Sequence, residues 1–125
     1  MILVDSSGWL EYLRKGPQYE IFARVIDGSE TLLLSTIQIY EIYKILKREE
    51  TEEEALGLVV SLKKCRFVPV DETLSLEAAD IALEHKLSMA DAIIYATAKH
   101  YKARLLTKDS DFKNLSGVEV IQETK

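Results

Sequence analysis

Five short apolar runs, at 2–4, 32–34, 67–70, 104–106 and 118–121, set the strongest limit on how this chain can fold. Each is nearly continuous in apolar character, where a half-exposed strand would alternate. Strands read this way when both of their faces are covered. Between them apolar residues recur at helical spacing, over 9–13, 19–26, 37–48, 53–64, 74–85 and 89–101. Pro17 separates the first two helices. Thr51 is placed to cap the fourth, inside the charge run REETEEE. Strands alternating with helices imply right-handed crossovers and a parallel sheet. The expected fold is α/β, a three-layer α/β/α sandwich around a central parallel sheet of about five strands. With 125 residues and no linker, repeat or low-complexity tract, one domain over 1–125 is expected.

Charge and cysteine content narrow the function classes. The net charge is -5, from 16 basic and 21 acidic residues. That balance argues against a broad basic surface for nucleic acid, yet carboxylates gathered to hold cations would produce the same sum. The single cysteine, Cys65, rules out an internal disulfide and a cysteine-rich zinc site. It fits a reducing cytosol, so a cytoplasmic location is expected. No apolar stretch reaches the roughly eighteen residues of a membrane span. Asp5 and Glu11 interrupt any signal-peptide core at the N-terminus.

In open parallel sheets ligands bind beyond the carboxyl ends of the strands, where strand order switches. The first run ends at Asp5, followed by Ser6 and Ser7. The second passes through Ser35 and Thr36 into a helix carrying Glu41. The third ends at Asp71, and the fourth, RLLTKDSDF, delivers Thr107, Asp109 and Asp111. Asp91 lies in the first turn of the helix that opens SMADA. Each acid also has a local explanation. Ser88 and Asp91 have capping-box spacing. Asp109 and Asp111 flank Ser110 in a turn, where Asp bonds nearby backbone N–H groups. Asp5 can end a strand in the same way, and Asp71 can start a helix. Glu41 is harder to place. Ile37 and Ile45 are its i-4 and i+4 neighbours, and Ile39, Tyr40, Ile42 and Tyr43 surround it. Its partner is either Lys44 at i+3 or a bound cation.

Carboxylates packed together take up protons unless a cation compensates them. Magnesium and manganese prefer oxygen ligands, and a pair of such ions about 4 Å apart can drive phosphodiester cleavage. The histidines fit nucleophilic chemistry less well. His85 and His100 sit near helix ends beside lysines, where the helix dipole favours them. Cys65 reads as a small buried residue. There is no glycine-rich phosphate loop.

Four fragments occur in order: ILVDSS at 2–7, STIQIYEI at 35–42, LSMADAIIYATA at 87–98 and LLTKDSDF at 105–112. Together they make the chain resemble the PIN-domain family, and within it the VapC-type ribonuclease toxins of toxin–antitoxin pairs. The resemblance spans essentially the whole chain. It implies a metal-dependent endoribonuclease that uses Mg²⁺ or Mn²⁺ on an RNA substrate. It implies Asp5 and Asp91 as direct metal ligands, Glu41 as a direct or water-bridged ligand, and Asp109 as a ligand or its supporting neighbour. Asp111 is implied as a supporting acid, with Ser6 and Thr107 as hydroxyls lining the site. Asp71 matches no site position. The resemblance further implies a homodimer and an antitoxin partner whose segment lies in a groove of the toxin. Arg14, Lys15, Lys44, Lys47 and Arg48 are candidates for contacting RNA, or are ordinary solvated helix residues. Tyr12, Tyr19, Phe22, Tyr40, Tyr43 and Trp9 are more aromatic residues than a core readily takes.

Two other functions remain open at this level. A receiver-like phosphoacceptor module is also doubly wound, with Asp71 at a strand end and Thr107-Lys108 after another. It needs an acidic pair after the first strand, however, and only Asp5 stands there. A PIN scaffold that binds RNA or a partner without cutting is the other, and the intact acid set speaks against it.

Overall fold

The computed structural model describes residues 1–122. Five strands, β1 (Ile2–Val4), β2 (Leu32–Ser35), β3 (Arg66–Val68), β4 (Arg104–Thr107) and β5 (Val118–Val120), form one sheet in the order β3-β2-β1-β4-β5. Every pairing is parallel. The first two strands are bridged by α1 (Ser6–Leu13) and α2 (Tyr19–Ile26). From β2 to β3 the chain runs through α3 (Thr36–Glu49), α4 (Glu52–Val59) and a 3₁₀ turn at Val60–Lys64, and from β3 to β4 through α5 (Glu72–His85) and α6 (Met89–His100).

The apolar runs are continuous because the inner strands face two cores. Ile2 and Val4 pack on one side with Trp9, Phe22, Ile26, Ile42 and Leu46. Leu3 points the other way, into Leu33, Leu74, Ala78, Ile94 and Leu105. Successive strand side chains alternate between faces, so a strand with helices on both sides must be apolar at every position. The result is the expected α/β/α sandwich, with α1–α4 supplying one layer and α5 and α6 the other. Among the described residues, no helix is long and apolar enough to cross a membrane.

The edge strands depart from expectation. β3 begins at Arg66 and stops at Val68, because Pro69 has no N–H to donate to a ladder. The Val70 N–H goes instead to Thr36 Oγ1, at 3.3 Å. Phe67 is 42% exposed, so β3 is covered on one side only. The helix expected over 53–64 tightens into the 3₁₀ turn after Val59, with Leu62 buried within it. Of the aromatic surplus, Trp9 and Phe22 are fully buried, whereas Tyr40 is 58% exposed.

Helix starts follow local chemistry. Thr51 accepts the Glu54 N–H, and Asp71 accepts that of Leu74 at 2.9 Å. At the start of α3, Ser35 and Gln38 form a reciprocal capping box. Gln38 also reaches across the sheet: Oε1 accepts the Ser35 N–H at 3.0 Å, and Nε2 donates to the Val4 carbonyl at 2.8 Å. Val4, Ser35 and Gln38 are all 0% exposed. Gln38 therefore ties the carboxyl end of β1 to that of β2. Gln38→Ala leaves one donor and one acceptor buried without partners, and should cost about 2–4 kcal/mol of stability. Urea unfolding measures it; a loss under about 1 kcal/mol would mean water reaches those groups.

Candidate metal centre

β1 has a neighbour on each side, β2 and β4, and the chain leaves it in one direction and returns on the other. This is the switch point of the sheet, and a crevice opens at the carboxyl ends of such strands. Asp5 stands at the end of β1 and Thr107 at the end of β4.

Asp5 is 4% exposed. Its Oδ2 accepts hydroxyl bonds from Ser7 and Thr107, each at 2.8 Å. Those hydroxyls are themselves oriented. The Lys108 N–H donates to Ser7 Oγ at 3.1 Å, and the Asp109 N–H to Thr107 Oγ1 at 2.9 Å. With an amide on each oxygen, each hydroxyl proton is directed at Asp5. Burial nevertheless pushes the Asp5 carboxyl above its ordinary range, against the lowering effect of Thr107 and Ser7.

Glu41, half-buried on α3, accepts the Ser6 hydroxyl at 2.9 Å. Burial raises its pKa, the Ser6 bond opposes that, and the nearby charge of Asp5 raises it further. Of the two partners left open by the sequence, Lys44 forms no ion pair with Glu41, although its charge lowers the Glu41 pKa. Its ammonium lies 3.4 Å from the Tyr40 hydroxyl, and among the described residues Glu41 has no ion-pair partner.

Asp91 occupies the first turn of α6, where Ser88 caps the helix by accepting the Asp91 N–H at 3.4 Å. The local capping explanation thus holds for the backbone of Asp91, and Ser88 also touches its carboxyl, which it helps keep ionised. That carboxyl is pushed up to about 6, first by burial and then by the charges of Asp5 and Asp109; the Ser88 bond opposes this and Glu41 adds to it. Asp109 accepts the Asp111 N–H at 2.9 Å, the turn expected there. Carboxylate oxygens of Asp91, Asp109 and Asp111 all lie within 4.8 Å of one another. This spacing matches a divalent ion shared between oxygen ligands. Asp111, expected only in support, belongs to this tight trio. Asp5 and Glu41 stand outside it and are felt at Asp91 through their charge.

Other candidates are spent elsewhere. Asp71 caps α5. His100 lies 3.1 Å from Glu77 on the surface. Burial pushes the Cys65 thiol up to about 11, which leaves it unreactive at neutral pH. Arg14 is paired with Glu49, and Lys47 with Glu52. Sequence reasoning missed Lys108 and Glu11, which form an ion pair at 2.8 Å beside the acid-bearing loop. The signal in the chain was slight: Glu11 follows Leu10 and precedes Tyr12, but its own helix face carries Ser7, Gly8, Arg14 and Lys15, which is ordinary for a solvated acid.

Away from the crevice, α3 and α4 border an apolar groove of about 690 Å³, lined by Ile39, Tyr43, Leu56 and Val59 and rimmed by Lys44 and Lys47.

The chain is similar to several known proteins. Ribonuclease VapC6 of Methanocaldococcus jannaschii is 29% identical over 90 residues, which cover 68% of this chain and 59% of that protein. The match thus spans about three-fifths of the relative's length. A toxin–antitoxin complex from Klebsiella pneumoniae superposes with a TM-score of 0.82 at 22% identity, covering 98% of this chain and 100% of the other. VapC20 of Mycobacterium tuberculosis, a toxin that cleaves the sarcin–ricin loop, superposes with a TM-score of 0.80 at 21% identity, covering 96% and 98%. The description of the PIN domain matches residues 2–118, and the chain belongs to the PIN-domain family.

Proposed function

We propose that this protein is a metal-dependent endoribonuclease, the toxin of a VapBC-type toxin–antitoxin pair, with Asp5, Glu41, Asp91 and Asp109 as its catalytic acids. The observation that carries this is the state of the acids. Asp5, Glu41 and Asp91 are all raised, Asp91 to about 6, and no basic side chain pairs with them among the described residues. A cluster that resists ionisation at the mouth of a sheet crevice fits a cation site better than a structural network.

Asp91, Asp109 and Asp111 offer the closest set of oxygens for Mg²⁺ or Mn²⁺, with Asp5 and Glu41 adjoining. A divalent ion held there supplies Lewis-acid polarisation of a phosphodiester and activation of water. The protein's own groups supply rigidity and charge. Thr107 and Ser7 hold the Asp5 carboxylate in one orientation, and Ser6 holds that of Glu41. The acid cluster repels RNA phosphates until a cation neutralises it, which couples substrate entry to metal binding.

The named relatives support RNA as substrate and an antitoxin as partner: one is a ribonuclease and another a toxin–antitoxin complex. The apolar groove between α3 and α4 supports a protein partner, and a homodimer is in keeping with the family. The receiver-like alternative loses its support, since Asp71 is engaged in capping α5.

Two outcomes test this function. Purified free of antitoxin and given Mn²⁺, the wild-type chain should cleave structured RNA, and Asp5→Asn and Asp91→Asn should each lower the rate roughly 100-fold or more. Asp71→Asn, which keeps a capping residue, should cleave normally. Cleavage that survives Asp5→Asn and Asp91→Asn would refute the site.

Stability without metal should also depend on pH. Asp91 titrates near 6 in the native state, above its ordinary 3.8, so the native protein binds more protons than the unfolded chain between those values. Stability therefore falls as pH rises through that window. The metal-free melting temperature should be higher at pH 5 than at pH 7. Asp91→Asn should stabilise the metal-free protein at pH 7 by about 1 kcal/mol, after allowing for solvent screening. Mn²⁺ should raise the wild-type melting temperature at pH 7 and do so less in Asp91→Asn. A flat metal-free profile from pH 5 to 7 would contradict the charge cluster.

A further inference from the structure

Ser7 and Glu11 lie four residues apart on α1 and share one face of it. Both grip the same residue. The Lys108 backbone N–H donates to Ser7 Oγ at 3.1 Å, and its ammonium donates to Glu11 Oε1 at 2.8 Å. Lys108 sits between Thr107, which bonds Asp5, and Asp109, whose carboxylate belongs to the acid trio. One helix face therefore holds the first residue of the acid-bearing loop at both its backbone and its side-chain end.

Glu11 is placed for this task and for no step assigned to the acids. Its side chain is 9% exposed, and that of Lys108 is 24% exposed. The second carboxylate oxygen accepts the Gln18 N–H at 2.7 Å, which ties the α1–α2 turn to the same group. Gly16 leaves the space the carboxylate needs, since a Cβ there would come within 2.5 Å of it. Burial would raise the Glu11 pKa, but the Lys108 and Gln18 bonds outweigh it and hold the carboxyl below its ordinary value. An ion pair so enclosed is costly to break from one side, because the remaining charge stays where it is without a partner.

We propose that Glu11 is a positioning residue that acts through Lys108 to fix the loop carrying Thr107, Asp109 and Asp111. The inference rests on the metal-binding role proposed for those acids. With Glu11 neutral, the Lys108 ammonium loses its anchor, the loop loses one of its two ties to α1, and the acids next in sequence become alternative partners for that ammonium.

The test uses the full chain and three measurements on Glu11→Gln: amide exchange at Lys108 and Asp109 without metal, Mn²⁺ affinity by calorimetry, and melting temperature. Tyr12→Phe is the control. Tyr12 lies on the same helix as Glu11; the substitution removes its 2.6 Å bond to Asp27, at the end of α2, and leaves the clamp intact. In Glu11→Gln, exchange at both amides should be about tenfold faster, and Mn²⁺ should bind about tenfold more weakly. In Tyr12→Phe, both should stay within about twofold of wild type. Unchanged exchange at Lys108 and Asp109 in Glu11→Gln overturns the proposal. So does an equal loss of Mn²⁺ affinity in Tyr12→Phe at a matching drop in melting temperature, since the effect would then be general destabilisation. If wild-type protein binds no Mn²⁺ while Glu11→Gln still speeds exchange, the proposed function fails and the clamp stands.

Discussion

A carboxylate at the end of the central strand is the constraint around which this molecule is arranged. Asp5 follows β1 directly and is 4% exposed, in a place where a charge loses most of its hydration. Such a group is tolerated when donors are already aimed at it. Here the donors come from two elements that meet only in the folded chain: Ser7 on α1 and Thr107 at the end of β4. Their hydroxyls are oriented by the amides of Lys108 and Asp109, so the acid-bearing loop is part of the same network. Gln38 adds the tie between β1 and β2 at that edge. Packing and polar satisfaction thus fix one another at the mouth of the crevice.

The same edge is where stability gives way to function. Asp5, Glu41 and Asp91 are each displaced upward by burial, and the charge of Asp5 raises Glu41 and Asp91 further. A fold selected for stability alone would separate or pair them. Keeping them together costs free energy that a cation at the proposed site would return. The acidic balance of the chain, -5 overall, therefore does not conflict with the proposed RNA substrate, because part of it is concentrated at one site. The contrast with Glu11 is instructive. That acid is also enclosed, yet Lys108 and Gln18 hold it ionised. Two enclosed acids less than two turns of α1 apart thus have opposite electrostatic states, set by their partners.

Much of this was legible in the chain itself. The continuous apolar runs announced strands with two covered faces, and the two cores on either side of Leu3 are why. The strand ends at Asp5 and Thr107 followed from the same runs. Glu41 stood out because its helix is apolar around it. Less was legible where a single backbone group decides the outcome. β3 ends early because Pro69 has no amide hydrogen, and Lys44 bonds the Tyr40 hydroxyl without closing an ion pair with Glu41. Asp111 joins Asp91 and Asp109 through the geometry of one tight turn, which spacing alone does not specify.

What the sequence determined by itself was the layer architecture and the acids that follow its apolar runs, Asp5 and Asp109. Both follow from local rules: side chains alternate along a strand, and a polar residue that ends an apolar run sits at the run's tip. Only the tertiary structure decided which groups those acids meet and in what state. Lys108 and Glu11 are 97 residues apart, and Asp5 and Thr107 are 102 apart. Hydrogen bonds and charge act over a few ångströms, so partners that far apart in the chain are set by the parallel pairing of β1 with β4. That pairing brings α1 and the loop after β4 to one crevice.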